Sequence, residues 1–198
     1  MILKIKGDIV SNDMKDIYEW FGYDCTTPGD VLTALEEMPK GDRLQVKINS
    51  GGGDVFAGQE IYSTLRGRND VDIEVEGLAA SAASVIAMAG KSTISPVGML
   101  MIHDVSASYI SGNHAQLSKQ AETLKAWDEA LASAYVEKTG KSKEEIIQMM
   151  DAETWITADK AVELGFIDAI SQAGEPVITN SIGNLKVTDE MIKKYEAK

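Results

Sequence analysis

Apolar positions recur along this chain at two spacings, and the spacing switches repeatedly. Leu3-Lys4-Ile5-Lys6 alternates with period two and stops at Gly7, which predicts a short half-buried strand. Leu44, Val46 and Ile48 repeat the alternation and run into Gly51-Gly52-Gly53, and Val71, Ile73 and Val75 repeat it before Gly77. Between these runs the spacing lengthens to three and four. Residues 14–20 predict a short helix, and Thr27-Pro28 reads as a cap and first helical residue ahead of Val31, Leu32, Leu35 and Met38. Val55, Gly58, Ile61, Tyr62 and Leu65 share one face of a helix over 54–68. A helix over 81–88 and short strands at 93–94 and 99–102 follow. Such alternation implies an α/β fold, a mainly parallel sheet flanked by helices.

The second half is more helical. Leu117, Ala121, Leu124, Trp127, Leu131 and Tyr135 make one stripe along a long helix over 115–138, which Gly140 ends. Ser142 followed by Glu145 is a capping box for a helix over 143–150. A strand at 155–157, a helix over 158–164 stopped by Gly165, and a loose helix from Val187 complete the reading. No internal repeat or linker divides the 198 residues, so a single domain is expected.

Composition narrows the partners. A formal charge of -12 argues against nucleic acid or an anionic membrane surface. The single cysteine, Cys25, forms no internal disulfide and is expected as a small buried or half-buried hydrophobe. No secretory leader is visible at the start, and the longest uncharged apolar stretch, 77–90, is too short and too rich in Gly, Ala and Ser to span a bilayer. The expectation is a cytoplasmic protein.

Candidate chemistry gathers in three places. Gly77-Leu78-Ala79-Ala80-Ser81 places a hydroxyl at a strand-to-helix junction, where amides stabilise developing negative charge. A serine needs a base, and His103 and His114 are the two histidines. His103 ends an apolar strand, where α/β sheets expose functional side chains, whereas His114 opens the polar-faced long helix. An acid must orient the imidazole. Asp104 adjoins His103, but strand neighbours point to opposite faces. Glu153 and Asp151, just before Trp155, both reach the same sheet edge, and spacing alone does not choose between them. Oxyanion donors would be main-chain amides, those of Gly52 and of Ala82 after the serine. A phosphate cradle is disfavoured: no Lys-Ser/Thr pair follows the glycines, and Asp54 would repel phosphate.

These segments, in this order, resemble the Clp protease proteolytic subunit family. Ile48-Asn49-Ser50-Gly51-Gly52-Gly53 is similar to that family's Ile-Asn-Ser-Pro-Gly-Gly, with Gly51 in place of proline. Gly77 to Ser81 matches its nucleophile motif and Met101-Ile102-His103 its histidine strand. Thr157-Ala158-Asp159-Lys160-Ala161 through Gly165-Phe166-Ile167-Asp168 matches its Ser/Thr-Ala-x-x-Ala…Gly-x-x-Asp stretch.

The resemblance implies a superhelix of β-β-α units of the Clp and crotonase type, with a peptidase domain over 1–175, a handle helix at about 115–138 and an extension at 176–198. It implies Ser81 as nucleophile, His103 as base, Glu153 as acid with Asp151 as fallback, and oxyanion amides at Gly52 and Ala82. No metal or organic cofactor is expected. Partners would be a protein or peptide substrate and further copies of the chain, in hexameric or heptameric rings that stack in pairs. Residues 54–58, the doubled Ala-Ser of 77–84 and Glu153-Thr154-Trp155 look like the phage and prophage branch, similar to head-maturation proteases that cut scaffold or capsid protein. The family's N-terminal segment, which helps dock an unfolding ATPase, is not seen ahead of the first strand. Turnover coupled to a Clp ATPase, a crotonase-type acyl-CoA enzyme, and a structural ring protein with a vestigial site are the competing readings.

Overall fold

The computed structural model describes residues 1–172. The helix expected from Val187 and the extension at 176–198 lie outside them. Within the described residues, β1 (Ile2–Ile9), β3 (Leu44–Gly53) and β4 (Val71–Ala80) form the middle of a parallel sheet, with β2 (Cys25–Thr26) outside β1. Beyond Val75 the sheet divides. The first half of β4 pairs with β5 (Lys91–Ile94) and its last three residues with β6 (Met99–Ile102). The short β8 (Ala169–Ile170) lies outside β5, and β7 (Thr154–Thr157) runs antiparallel to β6.

Both central strands are longer than their alternation predicts, because the small residues following it stay extended. The β3–β4 register breaks between Ile48 and Ser50, and there the Asn49 side-chain carbonyl accepts the Leu78 N–H at 3.1 Å. An amide side chain thus supplies the acceptor that the interrupted ladder lacks. The strands continue past the break and carry Gly52 and Ser81 to the same end of the sheet.

Helices cover one face. Helix α1 (Lys15–Trp20) lies beside β2. Helix α2 (Pro28–Glu37) starts at the Thr27 capping box, α3 (Val55–Leu65) at Asp54, and α4 (Ala82–Ala87) at Ser81. They bury Val31, Ile61, Leu65 and Ile86 against Ile5, Val46, Ile48, Ile73 and Val75. The opposite face of β3 and β4 is polar, with Lys47 Nζ at 3.3 Å from Glu74 and 2.9 Å from Glu76. This explains the strict alternation in parallel strands, which read as continuous apolar runs when both faces are covered. Cys25 is half-buried in β2.

Helix α5 (His114–Thr139) follows an extended segment after β6 and is capped by Asn113. The stripe read from its sequence is apolar throughout but is buried only towards the C-terminal end, where Leu131, Ala132, Ala134 and Tyr135 join the core. Leu117 and Ala121 are exposed, and Trp127 meets Phe56 edge to face at 5.0 Å. Helix α6 (Lys143–Asp151) uses the expected Ser142–Glu145 box, and α7 (Ala158–Glu163) packs beside β6 and β7. None of the described helices is long and apolar enough to cross a membrane.

Candidate active site

Ser81 ends β4 and opens α4 with φ 54° and ψ −127°, a conformation rarely open to a residue with a side chain. Such strain costs about 1–3 kcal/mol and persists only where surrounding contacts impose it. Here the Ser81 N–H donates to Met101 O at 2.9 Å, continuing the β4–β6 ladder. Its carbonyl accepts the Ser84 N–H at 2.9 Å and the Ser84 hydroxyl at 2.7 Å. The Ser81 side chain makes no capping bond to α4, so its Oγ is left to the cleft.

One residue past β6, His103 turns its Nε2 to 2.9 Å from Ser81 Oγ, within proton-transfer reach. That is the ring's one hydrogen bond among the described residues. His114 is exposed at the first turn of α5, where Asn113 does the capping.

The glycine strand passes at touching distance: a Cβ on Gly52 would stand 2.7 Å from Ser81 Cβ and 2.7 Å from Ala80 O. Gly52 (φ 99°) donates its N–H to Ser50 Oγ at 3.1 Å, and Ser50 in turn donates to Gly7 O at 2.6 Å. The amide expected to face an oxyanion is therefore occupied by its own chain. Gly53 lines the cleft together with Ser81, Ala82 and His103. A serine two residues ahead of an amide is a recurrent turn pattern, so Ser50 was the sequence signal for this internal bond.

Neither predicted acid meets the imidazole. Glu153 (φ 47°) is exposed, and its Oε1 accepts the Trp155 indole N–H at 3.3 Å. Asp151 is exposed at the end of α6, close enough to Asp104 for its charge to act on it. Asp104 has one buried carboxylate oxygen without a partner among the described residues. Burial first, then the charges of Asp128 and Asp151, push its carboxyl up to about 6. Asp128, 9% exposed on α5, is the one charged residue buried among the described residues. Burial pushes its carboxyl up too; the Val105 amide, which donates to it at 2.6 Å, and the nearby His103 oppose the shift. Sequence reasoning passed over Asp128, although it is a charge set beside the apolar stripe at Trp127.

From the cleft, an apolar groove continues between the end of β3 and residues 105–110, lined by Val55, Phe56, Ile110, Leu124 and Trp127. No cluster of three His, Cys, Asp or Glu side chains among the described residues is spaced to hold a metal ion.

A family model described as Clp protease matches residues 28–174. The chain is 31% identical over 187 residues to the ATP-dependent Clp protease proteolytic subunit 2 of Chlamydia trachomatis, covering 89% of this chain and 91% of that one. It is 36% identical over 138 residues to the ATP-dependent Clp protease proteolytic subunit 1 of Streptomyces avermitilis. That second match covers 68% of this chain and 63% of the relative's length.

Proposed function

This chain belongs to the Clp protease family of serine-type endopeptidases, and from that premise we propose that Ser81 is its nucleophile and His103 its general base. The observation that carries the proposal is the 2.9 Å contact between a strained, uncapped serine hydroxyl and an imidazole nitrogen. His103 Nε2 takes the proton as Oγ attacks the scissile carbonyl, then returns it to the leaving amine. Water activated by the same nitrogen releases the acyl group. The Ala82 amide and the cleft-lining Gly53 amide receive the oxyanion, the Gly52 amide being held by Ser50.

Glu153 is the proposed acid and Asp151 its alternative. In that role Glu153 exchanges the Trp155 indole for the second imidazole nitrogen when substrate is bound, because catalytic contacts often tighten only then. Glu153→Gln and Asp151→Asn, assayed side by side, separate the two: the acid's loss lowers kcat by about two orders of magnitude or more.

The natural substrate we propose is a scaffold or capsid protein of a phage, cut inside a homo-oligomeric ring of six or seven copies in a cytoplasmic setting. Support for the substrate comes from the phage-like sequence segments, and support for assembly from the uncovered N-terminal half of α5. Turnover coupled to a Clp ATPase is the second reading of the substrate supply, the relatives being named ATP-dependent.

The deciding experiment treats the purified chain with a fluorophosphonate and maps the adduct, alongside a peptidase assay of Ser81→Ala. We expect label on Ser81 and loss of all turnover in the variant at unchanged oligomer size. An unlabelled, folded protein, or turnover surviving in Ser81→Ala, overturns the assignment. Cleavage of a purified scaffold protein without any ATPase supports the phage reading; degradation that needs one rejects it.

A further inference from the structure

We propose that Asp128 and Tyr135, two turns apart on α5, are positioning residues that jointly set the distance between Ser81 and His103. The inference rests on the Ser81–His103 assignment above and concerns how one helix holds both partners. Tyr135 is 2% exposed, and its hydroxyl lies 2.8 Å from Ser84 Oγ. Ser84 donates at 2.7 Å to the carbonyl of Ser81 itself. The chain from Tyr135 to Ser84 to Ser81 therefore ends on the peptide whose unusual φ presents the hydroxyl to the cleft.

Asp128 serves the other partner. Its Oδ1 accepts the Val105 N–H at 2.6 Å, fixing the backbone two residues after His103, at the point where β6 has ended. Val105 also packs against the hydrophobic core, so the bond ties the segment after His103 to α5 where the chain leaves the sheet. Residues 128 and 135 are separated by seven positions, so they lie on one face of the helix. Between them Leu131 lines the same cleft. A rigid helix thus grips the serine peptide at one point and the histidine segment at another. Burying a carboxylate is costly unless it is well bonded, which is the reason to look for a function in Asp128.

The test uses the full chain with Asp128→Ala, Asp128→Asn and Tyr135→Phe, each checked for wild-type melting behaviour and oligomer size. Turnover of a fluorogenic peptide is measured on sites titrated by fluorophosphonate, and the Ser81 Oγ to His103 Nε2 separation is read from crystals. Misplacing reacting groups by about 1 Å costs on the order of a hundredfold in rate. We expect Asp128→Ala to lower kcat by about tenfold or more, with KM within about twofold and a lengthened separation. Asp128→Asn keeps an acceptor for Val105 and recovers most of the loss. Tyr135→Phe, which leaves Ser84 in place, lowers kcat by about three- to tenfold.

Wild-type kcat and separation in either Asp128→Ala or Tyr135→Phe overturn the joint role, and so does an Asn variant as impaired as Ala. Should Asp128→Ala fail to fold, the near-isosteric Asp128→Leu, which also removes the acceptor for Val105, takes its place beside Tyr135→Phe. Absence of label on wild-type Ser81 instead overturns the peptidase assignment, and the crystallographic separation then still judges the positioning role.

Discussion

The two halves of α5 read alike in sequence and behave as different objects in the fold. From Asp128 to Tyr135 one face of the helix is core: Leu131, Ala132 and Ala134 are buried, while Asp128 bonds Val105 and Tyr135 bonds Ser84. From His114 to Ala126 the same periodicity continues, yet almost every side chain is exposed or half-exposed. A helix this long is not held by propensity in water; its stability comes from packing. The free half therefore needs another surface, and in the proposed ring that surface is another copy of the chain. Periodicity reveals that a face is apolar, but not which molecule covers it.

The largest expected effects break the helix at its buried half. Leu131→Ala removes side-chain atoms from the core and is expected to cost about 2–5 kcal/mol in chemical denaturation. Leu117→Ala, fourteen residues earlier on the same stripe, is expected within about 0.5 kcal/mol for the isolated subunit. Leu117→Glu sharpens the contrast: the subunit stays folded while sedimentation detects loss of the assembled species. Equal destabilisation by the two alanine variants would show that the halves are not different after all.

A smaller, pH-dependent effect is expected where exposed helix gives way to buried helix. Asp104, Asp128 and Asp151 come together there beside His103, and burial with its two acidic neighbours raises the Asp104 carboxyl to about 6 from an unfolded value near 3.8. The folded chain then binds more protons than the unfolded one between those values, so this group's contribution falls as pH rises from about 4 to about 6. Above that window the cost is constant. Asp104→Asn should thus raise the denaturation midpoint relative to the parent at pH 7, with the difference shrinking towards zero at pH 4. A difference independent of pH would show that Asp104 is not held protonated in the fold.

Much of the architecture was legible because the polar face of the sheet keeps strict alternation in β3 and β4, and because caps at Thr27, Ser142 and Gly140 are local chemistry. The extensions of both strands were not, since Gly51 to Gly53 and Gly77 to Ala80 carry no alternation; they stay extended through pairing with distant strands. Ser81 stood out as a hydroxyl at a strand-to-helix junction, and His103 as one of two histidines, at the end of an apolar strand. The rest of the cleft did not. Tyr135 sits within a stripe that reads as packing and Asp128 beside it, and their polar atoms acquire partners only when Ser84 and Val105 arrive from elsewhere in the chain. The Gly52 amide is the converse case, since the local partner Ser50 was in plain sight and outcompetes the remote role assigned to it.

The smallest expected effect uses two capping boxes of the same design. Asn113 and Ser142 each accept the backbone N–H of the third helical residue, at 3.1 and 3.2 Å, and each receives the reciprocal side chain. Replacing either by alanine removes the same kind of bond, worth about 1 kcal/mol in a helix that must unfold with the protein. Ser142 caps α6, whose Ile146 and Met150 are buried in the core, so Ser142→Ala should cost about that much globally. Asn113 caps the exposed half of α5. A segment that opens locally at little cost does not pass its cap energy to the global transition, so Asn113→Ala should change the subunit's denaturation by no more than about 0.3 kcal/mol. The loss should appear instead as faster amide exchange over the first turns of α5. In the proposed ring the exposed half would be covered by another copy, and the two substitutions should then converge.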